Sequence, residues 1–202
     1  MAANTLRNLL LYPVLLLLLT LLFISSIPHT ASACSGSETY EKYIQTACHS
    51  TLYRKLCRIT LSPHALKIES NPLKLCKTAL SISLKAVVNA STAVQKFPEH
   101  NGLTRYEAAV IKDCISNIKD SIDELQQSLD AMKDLSGPQK ASQLANIKTW
   151  VSTALTDEYT CIDEFEEGPR TSTKAQEKIR MTILRIGKLT SNALALINNQ
   201  LH

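Results

Sequence analysis

Strand-forming material is scarce in this chain. Phe, Trp and Tyr make up 5% of its 202 residues, with a single Trp. No stretch sustains the apolar/polar alternation of a half-buried strand, which argues against a β-sandwich. Charge of one sign is never concentrated: there is no run of five or six like charges. The electrostatic footprint of a nucleic-acid binder is therefore missing. Catalytic signatures are missing as well. The sequence has no Gly-x-Ser-x-Gly elbow, no His-Glu-x-x-His, no Gly-rich phosphate loop and no Cys-x-x-Cys. Its five histidines are scattered, and none forms a ligand pair at helical spacing. Neither a metal nor another cofactor is expected. Asp120, Asp123 and Glu124 share one helix face but come with no pocket signal, so paired catalytic carboxylates are not indicated. The expectation is a protein that is not an enzyme. No internal repeat and no low-complexity tract complicates the reading.

What is present begins with a leader. Arg7 is the sole charged residue before position 38, and an apolar run from Leu9 to Ile27 follows it. Ala31-Ser32-Ala33 then supplies the small-x-small pattern of a signal-peptidase site. Residues 1–33 read as a signal peptide, and residues 34–202 as one secreted, extracellular domain. The competing reading is an uncleaved anchor, because the apolar run is nearly long enough to span a bilayer. Removing 33 residues leaves 169, enough for a single domain with its own core. Without Arg7, 21 basic residues face 18 acidic ones, a mild and interspersed excess.

Helical spacing runs through the rest. Tyr40, Ile44, Cys48, Leu52 and Tyr53 suit two short helices within residues 38–59, with Pro63 as a break. Asn71-Pro72 reads as an N-cap followed by proline at the first helical position. Leu73, Cys76, Leu80, Leu84, Val87, Val88 and Val94 then recur at three- and four-residue steps. Pro98 and Asn101-Gly102 end that segment. Thr104-x-x-Glu107 is a capping box, in which the threonine oxygen takes an orphan amide and the glutamate reaches back. The stripe after it is Ile111, Cys114, Ile115, Ile118, Ile122, Leu125, Leu129 and Met132. Gly137-Pro138 closes it. A third segment carries Leu144, Ile147, Trp150, Val151, Ala154, Leu155 and Cys161 up to Gly168-Pro169. A fourth runs from about Thr173 to Asn199 with Ile179, Ile183, Ile186, Leu189, Ala193, Leu196 and Ile197. Four amphipathic helices with short loops predict an all-α, up-down-up-down four-helix bundle over residues 71–202. Residues 34–70 are expected outside it, as an N-terminal helical hairpin extension.

Six cysteines leave fifteen pairings open. The residues around them are more specific. Ile44-Gln-Thr-Ala-Cys48-His-Ser-Thr-Leu-Tyr53-Arg-Lys-Leu-Cys57 resembles the N-terminal signature of the plant invertase/pectin methylesterase inhibitor family. So do Asp113-Cys114 with Asp120-Ser-Ile-Asp123-Glu-Leu125, and the block from Thr149-Trp150 through Thr160-Cys161-Ile-Asp163. Leu189-Thr-Ser-Asn192-Ala-Leu194-Ala-Leu-Ile197 is similar to the family's closing motif. The four blocks in this order cover essentially the whole mature chain.

The resemblance implies disulfides Cys48–Cys57 and Cys114–Cys161. Closing the longer loop would stabilise by roughly 3–4 kcal/mol, the shorter one by less. Arg54 departs from the family's usual proline, which predicts a looser N-terminal turn. Cys34 and Cys76 are additional. Cys76 falls on an apolar stripe and reads as a buried free thiol, with a third bridge to Cys34 as the alternative.

The resemblance also implies a function: inhibition of pectin methylesterase in the apoplast or cell wall through a non-covalent 1:1 complex over the substrate cleft. The matching contact positions are Asp120, Asp123, Thr160 and Asp163. Ser116 stands where a known inhibitor has an acid. Inhibition of acid invertase is the rival within the family, whose members of that kind usually carry a Pro-Lys-Phe motif absent here. Outside the family, a secreted helical ligand or a pectin-binding protein remains open, the latter through Lys74, Lys77, Lys85 and Lys96. Asn89-Ala90-Ser91 is a glycosylation sequon. Neither nucleic acid nor, after leader removal, a membrane is an expected partner.

Overall fold

The side chain of Asn71 accepts a hydrogen bond from the Lys74 amide at 2.9 Å, and Pro72 follows at the first helical position. Thus the first long helix starts where the sequence places its cap. At Thr104 the full capping box forms. The Glu107 amide donates to the threonine hydroxyl at 3.3 Å, and the Thr104 amide donates back to the Glu107 carboxylate at 2.7 Å. A computed structural model describes residues 31–96, 104–166 and 174–202. Residues 1–30 of the leader and the breaks at Pro98, Asn101-Gly102 and Gly168-Pro169 lie outside the described residues.

Seven α-helices are described: α1 (Ala31–Cys48), α2 (Arg54–Leu61), α3 (Ala65–Ile68), α4 (Pro72–Gln95), α5 (Arg105–Ala131), α6 (Lys140–Glu166) and α7 (Lys174–Gln200). Short 3-10 turns sit at Ser62–His64 and Met132–Asp134, and there is no strand among the described residues. Pro63 stands within the first of these turns, after α2 has ended. Between α5 and α6 the chain reverses at Gly137, whose φ of +73° is the left-handed conformation that glycine adopts without strain.

The long helices close a ring. Helix α5 packs on α6, α6 on α7, α7 on α4 and α4 on α5. Each is a neighbour of the next in sequence, as short connections require, and the α4–α7 contact completes the bundle. The α7 stripe is buried as its spacing predicts: Ile179, Ile183, Ile186, Leu189, Ala193, Leu196 and Ile197 all point inward. The same holds for Ile111, Cys114, Ile118 and Leu125 on α5 and for Met132 in the 3-10 turn after it. Each such isoleucine or leucine contributes roughly 1.5–3 kcal/mol relative to an exposed one. Two expected core residues are exposed instead. Val88 is one position past buried Val87, about 100° round the helix, and faces outward. Leu52 falls in the turn after α1 and projects into solvent.

Residues 37–202 form one compact unit, and the N-terminal hairpin is packed within it. Ile44, Cys48, Leu61 and Ile68 join the same buried cluster as the four long helices. Among the described residues two disulfides form: Cys48–Cys57, across the hairpin, and Cys114–Cys161, between α5 and α6. Cys76 is a buried free thiol. None of the helices within the described residues is long and apolar enough to cross a membrane.

Candidate partner-binding face

The seam between α5 and α6 is fixed at three levels. Gly137 turns the chain at one end, and the Cys114–Cys161 bridge ties the other. Between them a buried carboxylate joins three helices. Glu158 on α6 accepts hydrogen bonds from Ser121 on α5 and Thr190 on α7, both at 2.9 Å and both through Oε1. Its Oε2 has no partner. Burial drives the Glu158 pKa up to about 8, against the opposing pull of the two hydroxyls and with the help of Asp157.

Acidic side chains collect on the outside of this seam. Asp157 is raised above the usual carboxylate range by burial and then by the charge of Asp120. Glu124 is raised by burial and by Asp157 and Asp120, partly offset by the Ala154 backbone and the Thr153 hydroxyl. Thus Asp120 and Glu124 from α5 meet Asp157 from α6. Like charges held this close raise one another's cost of ionisation, and an approaching cation or hydrogen-bond donor would relieve it.

All four sequence-predicted contact residues are exposed. Asp120 sits at the centre of the acidic cluster. Asp123 is one turn along α5 from it. Thr160 is one turn along α6 from Asp157, and its hydroxyl donates to the Thr156 carbonyl at 3.0 Å. Asp163 lies two residues past Cys161. Because the helices are antiparallel, these positions diverge from the Asp120–Asp157 level in opposite directions. Asp123 is nine residues from Cys114 on α5, about 13 Å along the axis. The four therefore form an elongated strip rather than one tight cluster. The sequence reading left out Asp157, although it precedes Thr160 by one turn just as Asp120 precedes Asp123. Cross-helix register, which no single helix displays, puts it at the centre.

Asn192 was also missed. Its side-chain amide donates to the Tyr53 carbonyl at 3.0 Å and accepts from the Tyr53 amide at 3.1 Å. Tyr53 is the N-cap of α2, and its side chain makes no capping hydrogen bond. The turn that lacks the family's proline at Arg54 is thus clamped from α7. The Tyr53 hydroxyl meets that of Tyr159 at 3.4 Å, and Lys188 lies over the ring, 5.4 Å from its centre. Asn89 is exposed on α4, while Ser91 of the sequon is buried and accepts a hydrogen bond from Gln95. No group of three His, Cys, Asp or Glu side chains among the described residues could hold a metal ion.

The structure defines a class: a disulfide-stapled four-helix bundle whose α5–α6 seam gathers acidic side chains. Within that class the assignment is specific: residues 42–196 match the plant invertase/pectin methylesterase inhibitor family, and the chain belongs to it. It is 40% identical to pectinesterase inhibitor 4 of Arabidopsis thaliana, over 93% of this chain and 97% of that one. It is 37% identical to a 21 kDa protein of Daucus carota, over 83% of this chain and 88% of that one. A crystal structure of a mutant form of a pectin methylesterase inhibitor from Arabidopsis shares the fold. That likeness has a TM-score of 0.62 at 19% identity, over 78% of this chain and 96% of that one.

Proposed function

We infer that this chain is a protein inhibitor of pectin methylesterase, which it blocks by covering the substrate cleft in a non-covalent 1:1 complex. The reading rests on one observation: 40% identity to a pectinesterase inhibitor over nearly the full length of both chains. Inhibition of this kind needs no chemistry from the inhibitor, only a rigid face. The α5–α6 seam offers one, since a bridge and a buried three-helix hydrogen-bond network hold it. We assign Asp120, Asp123, Thr160 and Asp163 to the contact with the enzyme, with Asp157 at their centre.

The site of action in this reading is the apoplast. The leader over residues 1–33 directs secretion, residues 34–202 are the inhibitor domain, and two disulfides suit an oxidising compartment. Asn89 projects from α4, which packs on α5 and α7, so a glycan there stands apart from the α5–α6 seam. Regulation of pectin de-esterification in the cell wall follows.

The test is a titration of the purified mature chain against a pectin methylesterase and an acid invertase in parallel. The esterase is expected to lose activity at one equivalent, and the invertase to keep it. The opposite ranking would make the chain an invertase inhibitor. Inhibition of neither, across several isoforms from mildly acidic to neutral pH, would discard the reading.

A further inference from the structure

The turn after α1, helix α2 and the outer face of α7 enclose an open cleft of about 830 Å³. Its charge is one-sided. Arg54 and Lys55 stand on the hairpin wall, and Lys178, Arg185 and Lys188 on the α7 wall, with no acidic residue lining it. None of the five takes part in an ion pair among the described residues. Lys188 has only the Tyr53 ring beneath it. A smaller adjoining cavity of about 440 Å³ adds His49 and Arg58, again without an acid. Apolar side chains are left uncovered between the charges: Leu52 is 76% exposed, Ile59 60% and Met181 50%.

A second cleft, beside α4, is lined by Lys67, Lys74, Lys77 and Lys133 together with Glu69 and Asp130. There Lys74 pairs with Glu69, and Lys133 of the same cleft pairs with Asp130. Half of the four lysines there are paired with acids, whereas no acid lines the cleft between the hairpin and α7.

We propose that the cleft between the hairpin and α7 binds a carboxylate-bearing polysaccharide, a run of ionised uronic acid units. The guanidinium forks of Arg54 and Arg185 match carboxylates bidentately. From Lys178 to Lys188 the basic positions on α7 extend about 15 Å, so a chain carrying one carboxylate per sugar meets them in succession. The C–H faces of sugar rings would cover Ile59 and Met181. The choice of a polyuronide over an acidic peptide rests on the proposed function, because de-esterified pectin is the product of the inhibited reaction. The inhibitor would be retained on the polymer its target has already processed.

The test uses the mature chain without any enzyme, titrated with fluorescently labelled oligogalacturonate at low salt. Binding is expected, at least tenfold weaker for the fully methyl-esterified oligomer. The double variant Arg54→Glu with Arg185→Glu should bind at least tenfold more weakly, while Lys85→Glu on α4 with Lys96→Glu at its C-cap should bind like the parent. The single variant Arg185→Gln covers the case in which the double charge reversal unfolds the hairpin, and circular dichroism identifies that case. Unchanged binding by the cleft variants, or equal binding of the esterified oligomer, would overturn the proposal. Equal binding of polyglutamate would reassign the cleft to an acidic peptide. A chain that inhibits pectin methylesterase but ignores oligogalacturonate loses the cleft and keeps the function. One that binds oligogalacturonate without inhibiting keeps the cleft and loses the function.

Discussion

Glu158 has no route to water and only one of its oxygens hydrogen-bonded, so its protonation is tied to folding. Its pKa is raised from 4.5 to about 8 in the folded chain. The protonated form is therefore favoured by folding. The stability it confers is complete below about pH 4.5 and is lost as the pH rises toward about 8. Asp157 and Glu124 are shifted in the same direction and add to the same trend. Thermal unfolding measured against pH should show the parent losing on the order of 1 kcal/mol per pH unit across that window. Glu158→Gln, which keeps an acceptor for Ser121 and Thr190, should flatten the profile. Parallel profiles for parent and variant would remove Glu158 as the cause. Cys76 makes a second residue-level case. Burial pushes its thiol up to about 12, so it should resist thiol reagents in the native state and react only after denaturation. Asp120 and Asp123 are the opposite kind of residue. Both are exposed, so the change of both to Ala should leave the melting temperature nearly unmoved. Inhibition should weaken roughly ten- to a hundredfold, as for truncated interface anchors. A folded double variant that inhibits like the parent would return these acids to ordinary solvated surface.

Helices α2 and α7 depend on each other through one side chain. Asn192 is buried and its amide bonds both backbone groups of Tyr53, so Asn192→Ala leaves the Tyr53 amide without its acceptor, while the carbonyl keeps the Cys57 amide. A loss of about 1–3 kcal/mol in global unfolding is expected. Amide exchange should rise first in residues 49–61, since the Cys48–Cys57 bridge keeps the hairpin closed but does not hold it on the bundle. A variant with exchange raised evenly across α4 to α7 would mean the clamp is not local. The α5–α6 pair is held differently. Replacing Cys114 and Cys161 with Ala releases a loop of 47 residues and should cost roughly 3–4 kcal/mol. Helicity should be kept below the new midpoint, because the packing stripe of α5 does not depend on the bridge.

At the scale of the whole molecule, periodicity carried most of the architecture. A stripe at three- and four-residue steps permits burial of one helix face only, and the caps at Asn71 and Thr104 and the turn at Gly137 each have a local chemical cause. Those features are decided within a few residues of chain, so they were legible in advance. Val88 and Leu52 were misread because hydrophobicity alone does not say which of two adjacent residues faces the partner helix, nor that a turn interrupts the stripe. The hairpin was expected as an extension outside the four long helices; what spacing did not tell is that Ile44, Leu61 and Ile68 tie it to their core. Asn192 and Tyr53 are 139 positions apart, and no local signal couples them. The proposed contact strip shows the same division. Sequence alone put Asp120 and Asp123 one turn apart on α5 and supplied Thr160 and Asp163 through family resemblance. Only the antiparallel register of α5 on α6 brought Asp120 to Asp157, drew the strip out along the seam and buried Glu158 between Ser121 and Thr190. Local spacing fixes which side of a helix is apolar. Which charges then face each other depends on how two such sides slide and rotate in contact, and that is a property of the packed bundle.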